Sequence, residues 1–228
     1  MKRFYKSVSV RQQGGHFAVM LDGRPVKTPG GEIMALRTPA PAEAVAAEWA
    51  RQGTEIDLDA MRFTRLAYAA IDGAPRTAEI VTDVLKFGRS DLTCYRADAP
   101  PELVARQAQA WDVPLLWVRT RYGAALRAVT GMTFVEQPPE AIVALEQALV
   151  RRDVFALAPL HAATAILGSL VLALNLADGR LDAASAFAAA HVDEAFQAEK
   201  WGTDPEAKKR LDRLAADLAS AEQFLRLL

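Results

Sequence analysis

The sequence predicts an α+β protein, with a small antiparallel β-rich N-terminal domain over residues 1–38 and a larger α-helical domain over residues 39–228. Two observations set that class. Glycine-containing turn signals at Gly14-Gly15, Asp22-Gly23 and Pro29-Gly30-Gly31 separate short apolar runs at the start of the chain. From Pro39 onward, proline-led segments with helical apolar spacing replace them. Composition agrees: 51% hydrophobic and 24% charged residues in a chain of 228 describe a soluble globular protein able to bury a core.

A first strand is expected over Tyr5 to Val10, where β-branched and aromatic residues concentrate. Gly14-Gly15 turns the chain into HFAVML, and Asp22-Gly23 turns it again into RPVKT. Asp-Gly suits a type I′ hairpin because both central residues take positive φ. IMAL adds a last short strand, and a meander this thin needs something packed on it. PAPAEAVAAEWARQG then reads as a helix ending at Gly53, with Val45, Ala46 and Trp49 on its apolar side. MRFTRLAYAAIDG follows at helical spacing, and Thr77 is expected to cap TAEIVTDVLKFG.

Pro101 opens PELVARQAQAW, and Asp112 and Pro114 are expected to break the chain and restart it as PLLWVRTRYG. Pro139 opens EAIVALEQALV. Residues 154–177 carry no formal charge and approach the ~20 residues that span a bilayer. Pro159, His161, Thr164, Ser169 and Asn175 interrupt that run, so one helix buried on nearly all sides is expected, with no membrane insertion.

The stretch from Ala183 to Arg210 reads as an alanine-rich helix ending at Gly202, a hinge, before a second helix with Asp204 as N-cap and Pro205 at its first position. At 100° per residue, Phe187, His191, Glu194, Ala198 and Trp201 share one face. Leu211, Leu214, Leu218, Ala221, Leu225 and Leu228 then form a packing seam.

Three acids in this stretch, Asp193, Glu194 and Glu199, invite an acid/base reading. Adjacent Asp193 and Glu194 diverge by about 100° around a helix, however, and cannot converge on one atom. His16, His161 and His191 show no metal-ligand spacing, and no nucleophile elbow, dinucleotide fingerprint or phosphate loop occurs. No metal and no cofactor are expected. The single cysteine, Cys94, lacks a partner for a disulfide and an adjacent base, and reads as structural. A formal net charge of −1 and a pI near 6.3 supply no overall field for nucleic acid. The N-terminus lacks an apolar leader, so a cytoplasmic protein, or a mature form after cleavage, is expected.

Collinear blocks carry a resemblance: RFYKSVSV, FAVMLDGRPVKTP, AEWARQGTEID, SDLTCYRA, PPELVARQAQAWDVPLLW and DEAFQAEKWGTDPEAKKR. Together they resemble the ATP12 family, assembly chaperones of the F1 sector of ATP synthase, whose eukaryotic members are mitochondrial matrix proteins. The resemblance implies a β-rich N-terminal domain, a helical C-terminal domain, no enzymatic activity, and binding of the free F1 α subunit so as to shield its β-contacting surface until assembly. It carries partner binding onto Glu194 and Trp201 in the FQAEKWG block and Trp49 in the AEW block, in a protein expected to be a monomer. Arg62 departs from the family pattern, which has proline there, and puts the geometry of that turn in question. Two other classes remain open: a small hydrolase using Glu194 and His191 in a cleft, and an RNA- or lipid-surface binder using Arg119, Arg121 and Arg127. Glu194→Ala is expected to leave the fold intact, and Trp201→Ala to cost roughly 3 kcal/mol if that ring is buried.

Overall fold

The computed structural model describes residues 1–202 and 204–228. Its elements run β1 (Val8–Gln13), β2 (His16–Leu21), β3 (Arg24–Pro25), β4 (Ala35–Leu36), α1 (Pro39–Ala50), α2 (Arg62–Gly73), α3 (Thr77–Arg89), β5 (Tyr95–Arg96), α4 (Pro101–Tyr122), β6 (Val129–Thr130), α5 (Pro139–Val150), α6 (Val154–Leu167), α7 (Leu170–Ala177), α8 (Ala183–Ala190), α9 (Val192–Trp201) and α10 (Pro205–Leu227). This is the α+β arrangement expected, with the small antiparallel sheet first and a mostly helical remainder in which β5 and β6 form a short parallel pair.

The first of two compact units comprises Met1–Thr77, Asp153–Pro159 and Gln223–Leu228. The boundary read at residue 38 lies within it, between β4 and α1. Its sheet is antiparallel, β1-β2-β3 with β4 also paired to β2. Asp22 and Gly23 take φ of +47° and +78°, the two positive values that the hairpin requires. β1 starts later than expected because the backbone N–H groups of Lys6 and Ser7 donate to the Asp22 carboxylate, at 3.0 and 2.7 Å, and that ties the segment to the turn. α1 packs on this sheet. Val19, Met34, Leu36, Val45, Met61 and Phe224 are among the fully buried residues of the core between them.

The turn into α2 is held from α1. Glu48 accepts from the Phe63 and Thr64 N–H groups at 2.8 Å each, and from the Thr64 hydroxyl at 2.8 Å. A carboxylate at this end satisfies donors that have no partner inside the helix. Arg62 is the first helical residue, the position at which proline is favoured, so the departure from the family pattern leaves the turn in place.

The second unit comprises Ala78–Arg152 and Leu160–Glu222. Helix α4 runs unbroken through Pro114, contrary to the restart expected there. Its buried residues Gln107, Trp111, Pro114 and Val118 follow a 4-3-4 spacing. That stripe carries the helix past the missing N–H, and Asn175 Nδ2 donates to the Pro114 carbonyl at 3.2 Å. The neutral segment is two helices, not one. Gly168 at φ +61° ends α6, and Ser169 caps α7 by accepting from Leu172 N–H at 3.0 Å.

Beneath that cap, the buried Asp91 carboxylate accepts from Ser169 Oγ at 2.7 Å, Val171 N–H at 3.0 Å and Thr93 Oγ1 at 2.8 Å. Burial pushes its pKa upward, against the pull of these donors. Among the described residues, no helix is long and apolar enough to cross a membrane. Thr77 does not cap α3 as expected. It sits at helical dihedrals after the short 3-10 turn Ala74–Arg76, and its hydroxyl donates to the Ala74 carbonyl at 2.8 Å.

A candidate protein-docking site on α9

The stretch expected as one helix from Ala183 is divided at His191, whose φ of −112° and ψ of 26° end α8 and begin α9. The imidazole takes part in the break. It stacks on Phe187 with ring centroids 4.0 Å apart, and its Nδ1 lies 2.9 Å from the Phe187 carbonyl. A nitrogen so placed against an acceptor carries the proton.

One face of α9 is fastened to α4. Arg106 donates to both Glu199 oxygens at 2.7 and 2.8 Å, and Gln107 Nε2 donates to Asp193 Oδ1 at 2.8 Å. Between these ties Phe196 is buried, with the Arg106 guanidinium 5.2 Å and the Lys200 ammonium 4.2 Å from its ring centre. The hydrogen bonds from Arg106 hold the Glu199 carboxyl below its ordinary pKa. Nearby, Trp111 Nε1 donates to the Ala189 carbonyl at 2.7 Å and fixes the end of α8. Two of the three acids that invited an acid/base reading are therefore fastenings.

Among the described residues, the opposite face has no such ties to α4. Glu194 and Trp201 are exposed, Trp201 to 78%, and they line one groove of about 340 Å³ together with His191, Ala198, Arg210 and Leu211. Because Trp201 is exposed, the condition for its large expected folding cost is not met. At the end of the helix Gly202 has φ 83° and ψ 174°, a conformation open essentially to glycine alone. Asp204 then caps α10 as expected, accepting from Ala207 N–H at 2.8 Å.

Trp49 belongs to the first unit and is 4% exposed. Its ring meets Tyr5 edge-on at 5.6 Å, and the Tyr5 hydroxyl donates to its carbonyl at 2.6 Å. His191 and Glu194 line the same groove, but the imidazole Nδ1 is engaged by Phe187 and the carboxylate lies in solvent. Cys94 is fully buried and its thiol is pushed up to about 12 by that burial and by the neighbouring Asp91. Arg119 and Arg121 stand in the last turn of α4, where cations complement the helix dipole. Among the described residues, no group of three or more His, Cys, Asp or Glu could hold a metal ion.

An exposed tryptophan beside a carboxylate, on a helix bolted down from behind, suits recognition of another protein. Comparison with known proteins agrees with that class. The model of the ATP12 chaperone protein family matches residues 2–119. The chain belongs to the ATP12 chaperone family. The mitochondrial protein atp12 of Schizosaccharomyces pombe is 23% identical over 215 residues, covering 89% of this chain and 74% of that one. The crystal structure of Atp12 from Paracoccus denitrificans has a TM-score of 0.94 at 39% identity, over 99% of this chain and 97% of that one. The Atu1473 protein of Agrobacterium tumefaciens has the same TM-score at 40% identity, over 99% of this chain and 85% of that one.

The groove's second wall went unread in the sequence. Leu211 reads there only as part of a packing seam, Arg210 carries no separate signal, and the tie from Arg106 to Glu199 joins residues 93 apart.

Proposed function

We propose that this ATP12-family protein is a non-enzymatic chaperone of F1-ATPase assembly that binds the free α subunit and shields its β-contacting surface. The observation that carries this reading is the exposure of Trp201 beside Glu194 on the free face of α9. An unassembled subunit presents an apolar surface of the kind found in obligate complexes, and such a surface aggregates unless covered. Trp201 offers a large rigid apolar contact. Glu194 offers a charge at its edge that fixes orientation. The ties of Asp193, Phe196 and Glu199 to α4 hold this face in place before the partner arrives, so little ordering remains to be done on binding.

Release requires no chemistry. A β subunit that matches the same α surface better displaces the chaperone by competition, because binding is set by mass action. The test is co-expression with α and β subunits separately, followed by capture of the complex. Capture of α is expected; capture of neither, or of β alone, overturns the reading.

A further inference from the structure

A larger groove, of about 760 Å³, lies wholly within the first unit. Its size falls within the range of ligand-binding clefts. Tyr5, Leu21, Val26, Thr28 and Trp49 are its buried lining, and Phe4, exposed to 66%, lines it with Met1 and Leu58. The family reading assigns it nothing.

Its lining draws on two stretches of chain, one through Met1, Phe4 and Tyr5 and one from Arg24 to Pro29. Along one, Arg3 N–H donates to the Thr54 carbonyl at 2.9 Å and Ile56 N–H to the Met1 carbonyl at 2.7 Å. Strand alternation turns the backbone groups of Lys2 and Phe4 to the other side. Along the other, Val26 N–H donates to Val19 O at 2.9 Å, and Val26 O accepts from Met34 N–H at 2.8 Å. The same alternation turns Pro25 O and Lys27 N–H outward, an acceptor and a donor spaced as a neighbouring strand would use them. Among the described residues, the Phe4 and Lys27 N–H groups have no hydrogen-bond partner.

The side-chain charges lining the groove are cationic in balance. Arg24 and Lys27 are exposed on its wall against one acid, Asp22, whose carboxylate stays ionised while it accepts from the Lys6 and Ser7 N–H groups.

We propose that this groove receives an extended apolar segment of a client polypeptide flanked by acidic residues, paired through its main chain to the Pro25–Lys27 edge and packed against Trp49 and Phe4. The client's identity rests on the chaperone reading above, whereas the groove's chemistry does not. Such a site adds a grip on chain that has not yet docked into an assembly, apart from the helical face that carries Trp201. Main-chain pairing supplies affinity without demanding one sequence, and the apolar lining with its cationic rim selects which segments enter.

The test is fluorescence polarisation of the full chain with a labelled heptapeptide of alternating valine and threonine, carrying glutamate at both ends. Saturable binding is expected. It should weaken about tenfold when the peptide's glutamates become lysines, or when the protein carries Arg24→Glu with Lys27→Glu. Methylating alternate backbone nitrogens of the peptide should abolish it, and Trp201→Ala should leave it unchanged. No binding, equal binding of the acidic and basic peptides, or indifference to N-methylation overturns the proposal. Self-association abolished by the same double charge reversal would assign the groove to a second copy of this chain, and also overturns it. Peptide binding without capture of the α subunit would sink the chaperone reading alone; α capture without peptide binding would sink this inference alone.

Discussion

Replacing Trp201 by alanine separates recognition from folding, because the two effects differ in size. The residue is 78% exposed. For a side chain of about 200 Å², folding then buries only about 45 Å², or ~1 kcal/mol at ~25 cal/mol/Å². A partner that covers the rest removes about 155 Å² from water, an upper limit near ~4 kcal/mol. Buried aromatic anchors contribute at least ~2 kcal/mol at the centre of such contacts, so the dissociation constant for the α subunit should rise at least about 30-fold. Urea unfolding should report a stability loss no greater than about 1 kcal/mol, and titration against purified α subunit should report the affinity. A loss of several kcal/mol in folding with unchanged affinity would refute the reasoning, since it would make Trp201 a packing residue.

Other consequences follow from the same structure. Trp111, 1% exposed and hydrogen-bonded to Ala189, should behave oppositely: Trp111→Ala should cost about 3–5 kcal/mol in a urea melt. Arg152 binds Asp178 at 2.5 Å and the Tyr122 hydroxyl at 3.0 Å, so Arg152→Met, which strands a half-buried carboxylate, should destabilise by about 2–3 kcal/mol. Cys94, pushed up to about 12, should resist a thiol reagent at pH 8 until the protein is unfolded. Glu199, held below its ordinary value, should keep its tie to Arg106 at every pH above the unfolded carboxylate range and lose it only as pH falls through the lowered value. NMR titration of its carboxyl carbon should show that displacement, and Arg106→Ala should remove it.

The features most legible in the sequence were local. Asp22-Gly23 specified its hairpin because few residue pairs accept two positive φ values, and Asp204-Pro205 specified the start of α10 because capping chemistry acts within three residues. The breaks were harder, since a break is settled by packing as well as by local preference. Pro114 suggested an end, but the stripe from Gln107 to Val118 is periodic straight across it, and burial of Trp111 and Val118 outweighs the lost hydrogen bond. His191 marks a break with neither glycine nor proline. Its ring competes for the Phe187 carbonyl, which the residue pattern does not announce.

The candidate site divides the same way. Glu194 and Trp201 were legible as one helical face and do line one groove. That Asp193 and Glu199 fasten the other face depended on Arg106 and Gln107, 93 and 86 residues away. No periodicity within α9 carries that information.

The most direct measurement is site-specific photocrosslinking from a benzoylphenylalanine placed at Trp201, in cells that express both α and β subunits. The account predicts a crosslink to α that is lost when Glu194 is replaced by alanine. A crosslink to β alone, or none from this position while α is still captured, would contradict it.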